Sequence, residues 1–480
     1  MLRTVFSFPV FLGAVLAAIT FYFANRGVAD PDIWWHLRNA EILLKTHHFI
    51  RADMYSYTVP GVPWINHEWL GEVPYYLAWR ALGLRGLFLL MIALLEIILL
   101  GTYYLSSVVS GNAKAAFVGT WLAAFLATIS FGPRTLLFGW TYLIALILIL
   151  WRYKEQGRDA LWLLPPLFCL WVNSHGSWLI GMAVLWIFIL TGLVELAGPF
   201  IESTRWNRVQ LRRLLTVGAV SVAALFVNPY GSKLVFYPFD LALRQTLNVS
   251  NVEEWASPDF HGLRGKILLG SILLVLGFSV FRKQRWRLEW FALFLLGVYA
   301  SVTYVRFMFL AAIIFTPILA TRLDMIPPYE KEKDKPLLNA VLIAAAVVFS
   351  AWRFPAEKAL QTDVDGIYAA QALPHLQQRV RENPGRVLNA YLWGGYMIFY
   401  SRDVPVFIDS RVDIYEYHGV LKEYLDFTNL QNSLELLEKY QIRYVFLQTH
   451  SAQAYFFDHL PTWHATYRDD VATMYERTPK

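Results

Sequence analysis

The stretch ADPDIWWHLRNAEILL, residues 29–44, follows directly on an apolar run and holds Asp30, Asp32, Trp35 and His36. Carboxylates beside an imidazole are candidates for moving protons. Helical spacing sorts this segment into two stripes. Asp32, Trp35, His36 and Asn39 fall on one, and Ile33, Leu37, Ala40 and Leu44 on the other, as in an amphipathic helix lying along a membrane interface. Plain structural roles compete with the chemical one. Asp30 precedes Pro31, which suits a first helical turn, so it reads equally as an N-cap. Asp32 would lie in the first turn, where the helix dipole favours an anion. Farther on, INHEWLGEVPYYL places His67 and Glu68 at the start of a second helix over about 67–82, perturbed by Pro74. A metalloprotease pattern would need a second His at position 71, which is Gly71, so no metal ligands are assigned.

A membrane bundle must position these residues. Of the 480 residues, 56% are hydrophobic and 16% charged, and the mean hydropathy is +0.40; soluble domains rarely reach such values. Apolar runs near 4–24, 84–109, 114–131, 133–151, 160–173, 177–197, 211–228, 266–281, 288–304, 306–322 and 336–351 suggest about eleven spans. With Arg3 inside, alternation puts nearly every dense Lys/Arg cluster on the cytoplasmic side, as the positive-inside rule requires. The net charge of +6 therefore reports orientation, and no nucleic-acid partner is implied. Cys169 is the single cysteine, so no intrachain disulfide can form. The opposite side receives the 25–83 loop, Arg134 in GPRT, Asn173 and His175 in WVNSHGSW, Glu253 and Glu254 in EEW, Arg306 in YVRF, and residues 355–480. Each junction alone reads as a polar turn; four converging on one face read as a site. The EEW acids offer an acceptor or metal contact but fit a solvated turn better.

At these residues the chain resembles the GT-C superfamily of integral-membrane glycosyltransferases, which includes protein mannosyltransferases and lipid A aminoarabinose transferases. DIWWHLRNAEILL stands where that family has an acidic interface helix, with Asp32 on its acidic position. HEWLGEVPYYL stands at its second loop helix. Ile33 replaces the family's second acid, and its Lys-Pro-Pro element is absent. The resemblance implies a helical polytopic fold, with residues 1–354 as the transferase body, 25–83 as a long outer loop, and 355–480 as an extracytoplasmic α/β domain. It implies transfer of a sugar from a polyprenyl-phosphate donor to a lipid, glycan or protein acceptor at the outer face of a plasma (inner) membrane. Asp32 would then be the general base, with Asp30 second. Arg134, His175 and Arg306 would hold the leaving phosphate, since Arg suits bidentate phosphate contacts. Trp35, His36, His67, Glu68 and Asn173 would complete the substrate site, and Trp34, Trp64 and Trp69 would floor the sugar. No cofactor motif stands out, and a divalent cation stays open. The rival classes are a transporter or lipid flippase, which internal repeats would favour, and a non-catalytic assembly protein with the same fold.

In the C-terminal part, GRVLNAY, PVFIDSR and IRYVFLQT read as strands and NSLELLEKYQ as a helix. Asp409, Arg411 and Asp413 follow a strand end, where open α/β sheets bind ligands; a plain strand-to-helix turn with capping acids is the rival reading.

Overall fold

The computed structural model describes residues 2–24, 28, 30–282 and 284–478. Residues 25–27 and Ala29, which open the first loop, lie outside the described residues, as do Lys283 of one basic cluster and the Arg3 side chain on which the inside assignment of the N-terminus relied.

The helix Met308–Arg322 forms the centre of the bundle, with every side chain from Met308 to Ala320 buried. A helix apolar on all sides belongs inside a bundle. Around it pack Trp69–Ser110, Ala113–Ala127, Leu263–Phe281 and Leu288–Thr303. Ala115, Ala116, Gly119 and Ala123 give Ala113–Ala127 a small-residue face that lets backbones approach where lipid supplies no hydrophobic drive. Among the described residues four helices are long and apolar enough to cross a bilayer, or five if the bent pair Pro336–Trp352 and Glu357–Ile367 is one span. Five further apolar helices are shorter. The chain is a multi-pass membrane protein, and helix length alone does not fix the count of about eleven suggested by hydropathy.

The expected loop helix and the second span are one element, Trp69–Ser110, bent at Leu82 and Gly83. Gly83 has φ +61°, a conformation that costs other residues strain. The break frees backbone N–H groups, and Glu357 accepts those of Leu84 (2.9 Å) and Arg85 (3.0 Å). A carboxylate at a fresh helix N-terminus is favoured by hydrogen bonding and by the helix dipole together.

The basic clusters gather at one end. There Lys154 meets Glu289 at 2.9 Å, both buried. Arg287 pairs with Glu155, Arg213 with Asp159, and Lys114 reaches the Pro328 carbonyl. A small sheet of Leu196–Ala197, Ile201–Ser203 and Trp286–Arg287 ties these loops together.

The C-terminal part carries a four-stranded sheet in the order Arg386–Asn389, Ile442–Gln448, Ala472–Arg477, Trp463–Arg468. The first pair is parallel and the others antiparallel. Two of the expected strands are present, and NSLELLEKYQ forms the helix Ser433–Lys439. PVFIDSR does not join the sheet. Its backbone bonds go to the first loop instead: Val406 N–H to the Tyr55 carbonyl (3.0 Å) and Tyr57 N–H to the Val406 carbonyl (3.2 Å). Arg411, fully buried, then pins the two regions together through Asp53 (2.6 Å) and Asp409 (2.7 Å).

The helix Asp32–Thr46 is accordingly buried on both faces rather than lying on lipid. Ile33, Leu37 and Ala40 are buried as expected, but so are Trp34, Trp35, His36 and Asn39. The C-terminal helix Gly394–Tyr400 packs on Trp34 and Trp35, while His36 and Asn39 are buried against Glu72 and Tyr55. Trp34 meets Tyr368, Tyr396 and Tyr400 at ring distances of 5.4, 5.0 and 5.5 Å. Trp34 is thus a packing residue and not a sugar floor.

Candidate active site

At the end away from the basic clusters, the turn before Asp32–Thr46 sets two carboxylates. Asp30 Oδ1 accepts the Asp32 N–H at 2.9 Å, an N-cap bond. Its Oδ2 faces Arg134 Nε at 3.1 Å. The cap role and the charge role therefore belong to the same side chain. Arg134, just ahead of Leu136–Gln156, also binds Glu254, so Glu254 is an ion-pair partner and not a solvated turn residue. Burial works against its charge, yet Arg134 holds Glu254 below the usual carboxylate range.

Arg306 stands between Leu288–Thr303 and Met308–Arg322. Its guanidinium lies 4.2 Å from the Trp255 ring centroid and in the electrostatic field of Glu254, Arg134, Glu68 and Asp32. It has therefore turned toward the cluster rather than toward headgroups. Among the described residues it makes no ion pair, a contrast with Arg134, which serves two carboxylates.

A second focus forms around Glu68. His36 Nε2 lies 3.3 Å away, His67 Nε2 3.5 Å and His175 Nε2 3.3 Å. Gly71 permits this approach, because a Cβ there would meet the Ser174 carbonyl at 3.0 Å and Thr135 at 3.1 Å. Burial opposes its charge, but the imidazoles around it, His67 foremost and His36 with it, hold Glu68 down to about 2. Burial drives His175 down to about 3 against the pull of Glu68. It is therefore neutral, and its Nδ1 accepts the Ser177 N–H at 3.0 Å. His36 goes the other way. Burial lowers it, but Glu72 at 2.9 Å and Glu68 outweigh burial and raise it to about 9.

Asp32 is only partly buried, whereas Asp30 is 7% exposed. Burial raises both carboxyls, with His36 opposing at Asp32 and Arg134 at Asp30. The Trp35 Nε1–H donates to Ser410 Oγ (2.9 Å) and to Asp32 (3.3 Å). Asp413 lies within hydrogen-bonding reach of Tyr237 and near His67; burial raises it to about 6.

The structure thus brings Asp30, Asp32, Trp35, His36, His67, Glu68, Arg134, His175 and Arg306 into one cluster. Asn173 stands at its edge with its amide engaged: it donates to the Cys169 (2.7 Å) and Val227 (2.9 Å) carbonyls and accepts from Trp69 Nε1 (2.8 Å). That holds the junction and also occupies Trp69. Trp64 stacks on Arg411 at 4.9 Å. Sequence reasoning missed Glu72, Tyr237 and Ser410 as members, favoured a solvated turn for Glu254, and placed Asp413 at a strand end away from this site. The signal for Ser410 and Asp413 was present in DSRVD, but nothing local shows that this turn meets the first loop. Among the described residues no group of three or more His, Cys, Asp or Glu side chains is arranged to hold a metal ion.

The His36 pairing has a testable sign. Its pKa is higher folded than unfolded, so its contribution is complete below pH 6.5 and disappears as pH rises through about 9. From 6.5 to about 9, at roughly 1.4 kcal/mol per unit, the contribution is on the order of 3 kcal/mol. Thermal unfolding in detergent should show wild type above His36→Gln at pH 6, with the gap closing by pH 10. A gap independent of pH would contradict the imidazolium assignment.

The chain shares its fold with solved glycosyltransferase structures. An oligosaccharyltransferase from Archaeoglobus fulgidus, crystallised tethered with an acceptor peptide, is similar in structure at 13% identity and TM-score 0.56, with 97% of this chain and 74% of that one covered. The same organism's AglB in complex with an inhibitory peptide and a dolichol-phosphate gives 14% identity and TM-score 0.55, covering 91% and 69%. ArnT from Cupriavidus metallidurans bound to undecaprenyl phosphate gives 12% identity and TM-score 0.52, covering 97% of each chain. At these identities the likeness establishes fold. No family model and no curated protein matches the chain in sequence.

Proposed function

We propose that the chain is a membrane glycosyltransferase that moves a sugar from a polyprenyl-phosphate donor to an acceptor hydroxyl on the extracytoplasmic face. The observation that carries this reading is Arg306, a guanidinium turned into a carboxylate-rich cluster beside Asp32 but paired with no carboxylate among the described residues. A leaving phosphate needs such a cation. The reaction also needs a base for the acceptor proton. Asp32 has the open side and the raised basicity for that step, while Asp30 holds Arg134. His36, Glu68 and Glu72 form the buried support that keeps the Asp32 helix in register. The lipid phosphates bound by the ArnT and AglB neighbours support a donor of the same chemical kind. In this reading residues 1–354 form the transferase body and 355–480 the extracytoplasmic roof, with Ser410 and Asp413 reaching down to the site. The N-terminus is then cytoplasmic.

Binding separates phosphate recognition from simple lipid capture. Purified protein in detergent should bind decaprenyl phosphate saturably, and decaprenol, which lacks the phosphate, should compete at least about tenfold more weakly, the worth of one charge-assisted contact. Equal competition by the alcohol would remove the phosphate site.

A further inference from the structure

At the opposite end of the bundle lies a cavity of about 380 Å³, lined by Gln284, Arg285, Trp286, Arg287 and Arg322 among others. Two helices connect it with the candidate active site. Leu136–Gln156 begins after Arg134 and ends beside the cavity with Glu155, and Met308–Arg322 begins after Arg306 and ends with Arg322. At 1.5 Å per residue, the longer helix separates the two places by roughly 30 Å, about the thickness of a bilayer core.

The cations of this cavity are not equivalent. Arg287 is paired with Glu155 at 2.9 Å and Glu202 at 3.4 Å. Arg285, half-exposed, has one long contact to Glu202 at 3.8 Å. Arg322 is 4% exposed, and its hydrogen bonds among the described residues go to neutral oxygens: Gln284 Oε1 at 3.0 Å and the Arg285 carbonyl at 3.3 Å. Its guanidinium lies 4.6 Å from the Trp286 ring centroid, and its Nε–H has no partner among the described residues. A buried cation with an unused donor is costly unless an anion completes it. The guanidinium fork matches phosphate oxygens, and the indoles beside it suit a headgroup-level site.

We propose that this cavity binds a phosphate group, with Arg322 as its main ligand and Arg285 and Gln284 beside it. The phosphate belongs either to an anionic phospholipid of the adjacent leaflet or to a free phosphate compound. The site is distinct from the proposed donor site and does not depend on it.

The test uses the full chain, delipidated in detergent, with phosphatidylglycerol or phosphatidylcholine added and retained lipid read by native mass spectrometry. Wild type should retain phosphatidylglycerol over phosphatidylcholine. Arg322→Gln should reduce that retention about tenfold, as loss of a charged hydrogen-bond donor predicts. Arg285→Gln should reduce it less, and exposed Arg208→Gln should not change it. Millimolar inorganic phosphate that displaces the lipid assigns a free phosphate ligand, and failure to displace it assigns the headgroup. Equal retention of both lipids, or retention unchanged in Arg322→Gln and Arg285→Gln, overturns the proposal. If Arg322→Gln does not fold, Arg285→Gln carries the test, because its side chain is half-exposed. Decaprenyl phosphate binding measured on the same variants should be unchanged, which keeps failure here separate from failure at the other end.

Discussion

Asp32→Asn should yield a folded protein that binds donor and transfers sugar roughly 10²–10⁴ times more slowly, about 3–5 kcal/mol at the transition state. The substitution keeps size and hydrogen-bonding capacity next to Trp35 Nε1 and removes only basicity. Loss of a helix-terminal charge by itself would change stability by about 0.3–1 kcal/mol. The two accounts of Asp32 therefore differ in kind, one changing rate and the other changing melting temperature. Asp30 is not the neutral control that a plain N-cap would be, because it also pairs with Arg134. Asp30→Asn keeps the cap bond to the Asp32 N–H but leaves Arg134 with Glu254 alone. It should lower activity less than Asp32→Asn while also lowering stability. Full activity in Asp32→Asn, with activity lost in Asp30→Asn, would transfer the base role to Asp30.

Arg306→Gln should have the second large effect. Its guanidinium pairs with no carboxylate among the described residues, so removing it costs little beyond stacking on Trp255, about 0.5–1 kcal/mol. Catalysis should suffer far more. Loss of one group that stabilises developing charge typically lowers turnover by roughly 10²–10³-fold. Arg306→Lys should restore part of the rate, because it keeps the charge and loses the fork. Arg134→Gln provides the contrast, since it strands Asp30 and Glu254 and should destabilise the protein measurably before any assay. If Arg306→Gln turns over normally, the leaving phosphate is held elsewhere in the cluster.

Much of the site could be read from the chain because its residues interrupt apolar runs, and a polar junction between spans is conspicuous. Span parity put Arg134, His175 and Arg306 on one face, and the structure brings all three to the acids of the first loop. The Glu68 focus was not readable in the same way. Its histidines, at 36, 67 and 175, come from three separate segments, and their meeting depends on close packing at Gly71. The helix Asp32–Thr46 shows the opposite difficulty. Its two-faced pattern correctly marks Ile33, Leu37 and Ala40 as buried, although Leu44 is exposed; the second stripe is buried too, Trp35 by a chain region more than 350 residues away and His36 and Asn39 by Glu72 and Tyr55. PVFIDSR reads as a strand because it alternates and is apolar. Its partner is the first loop, which only tertiary structure reveals. Trp463–Arg468 escaped detection because its sequence, WHATYR, leaves three of its six residues exposed and only one buried, without an apolar face to signal it.

The most direct test of the central claim is turnover by purified protein reconstituted in liposomes, using a panel of decaprenyl-phosphate sugars with radiolabel in the sugar. The account predicts that one donor is consumed, that decaprenyl phosphate is released, that label moves to a hydroxyl acceptor, and that Asp32→Asn stops all three. If the panel includes a donor that is bound and moved across the bilayer intact, with no sugar–phosphate bond broken by the wild type, the protein is a lipid transporter on a glycosyltransferase fold and the account is wrong.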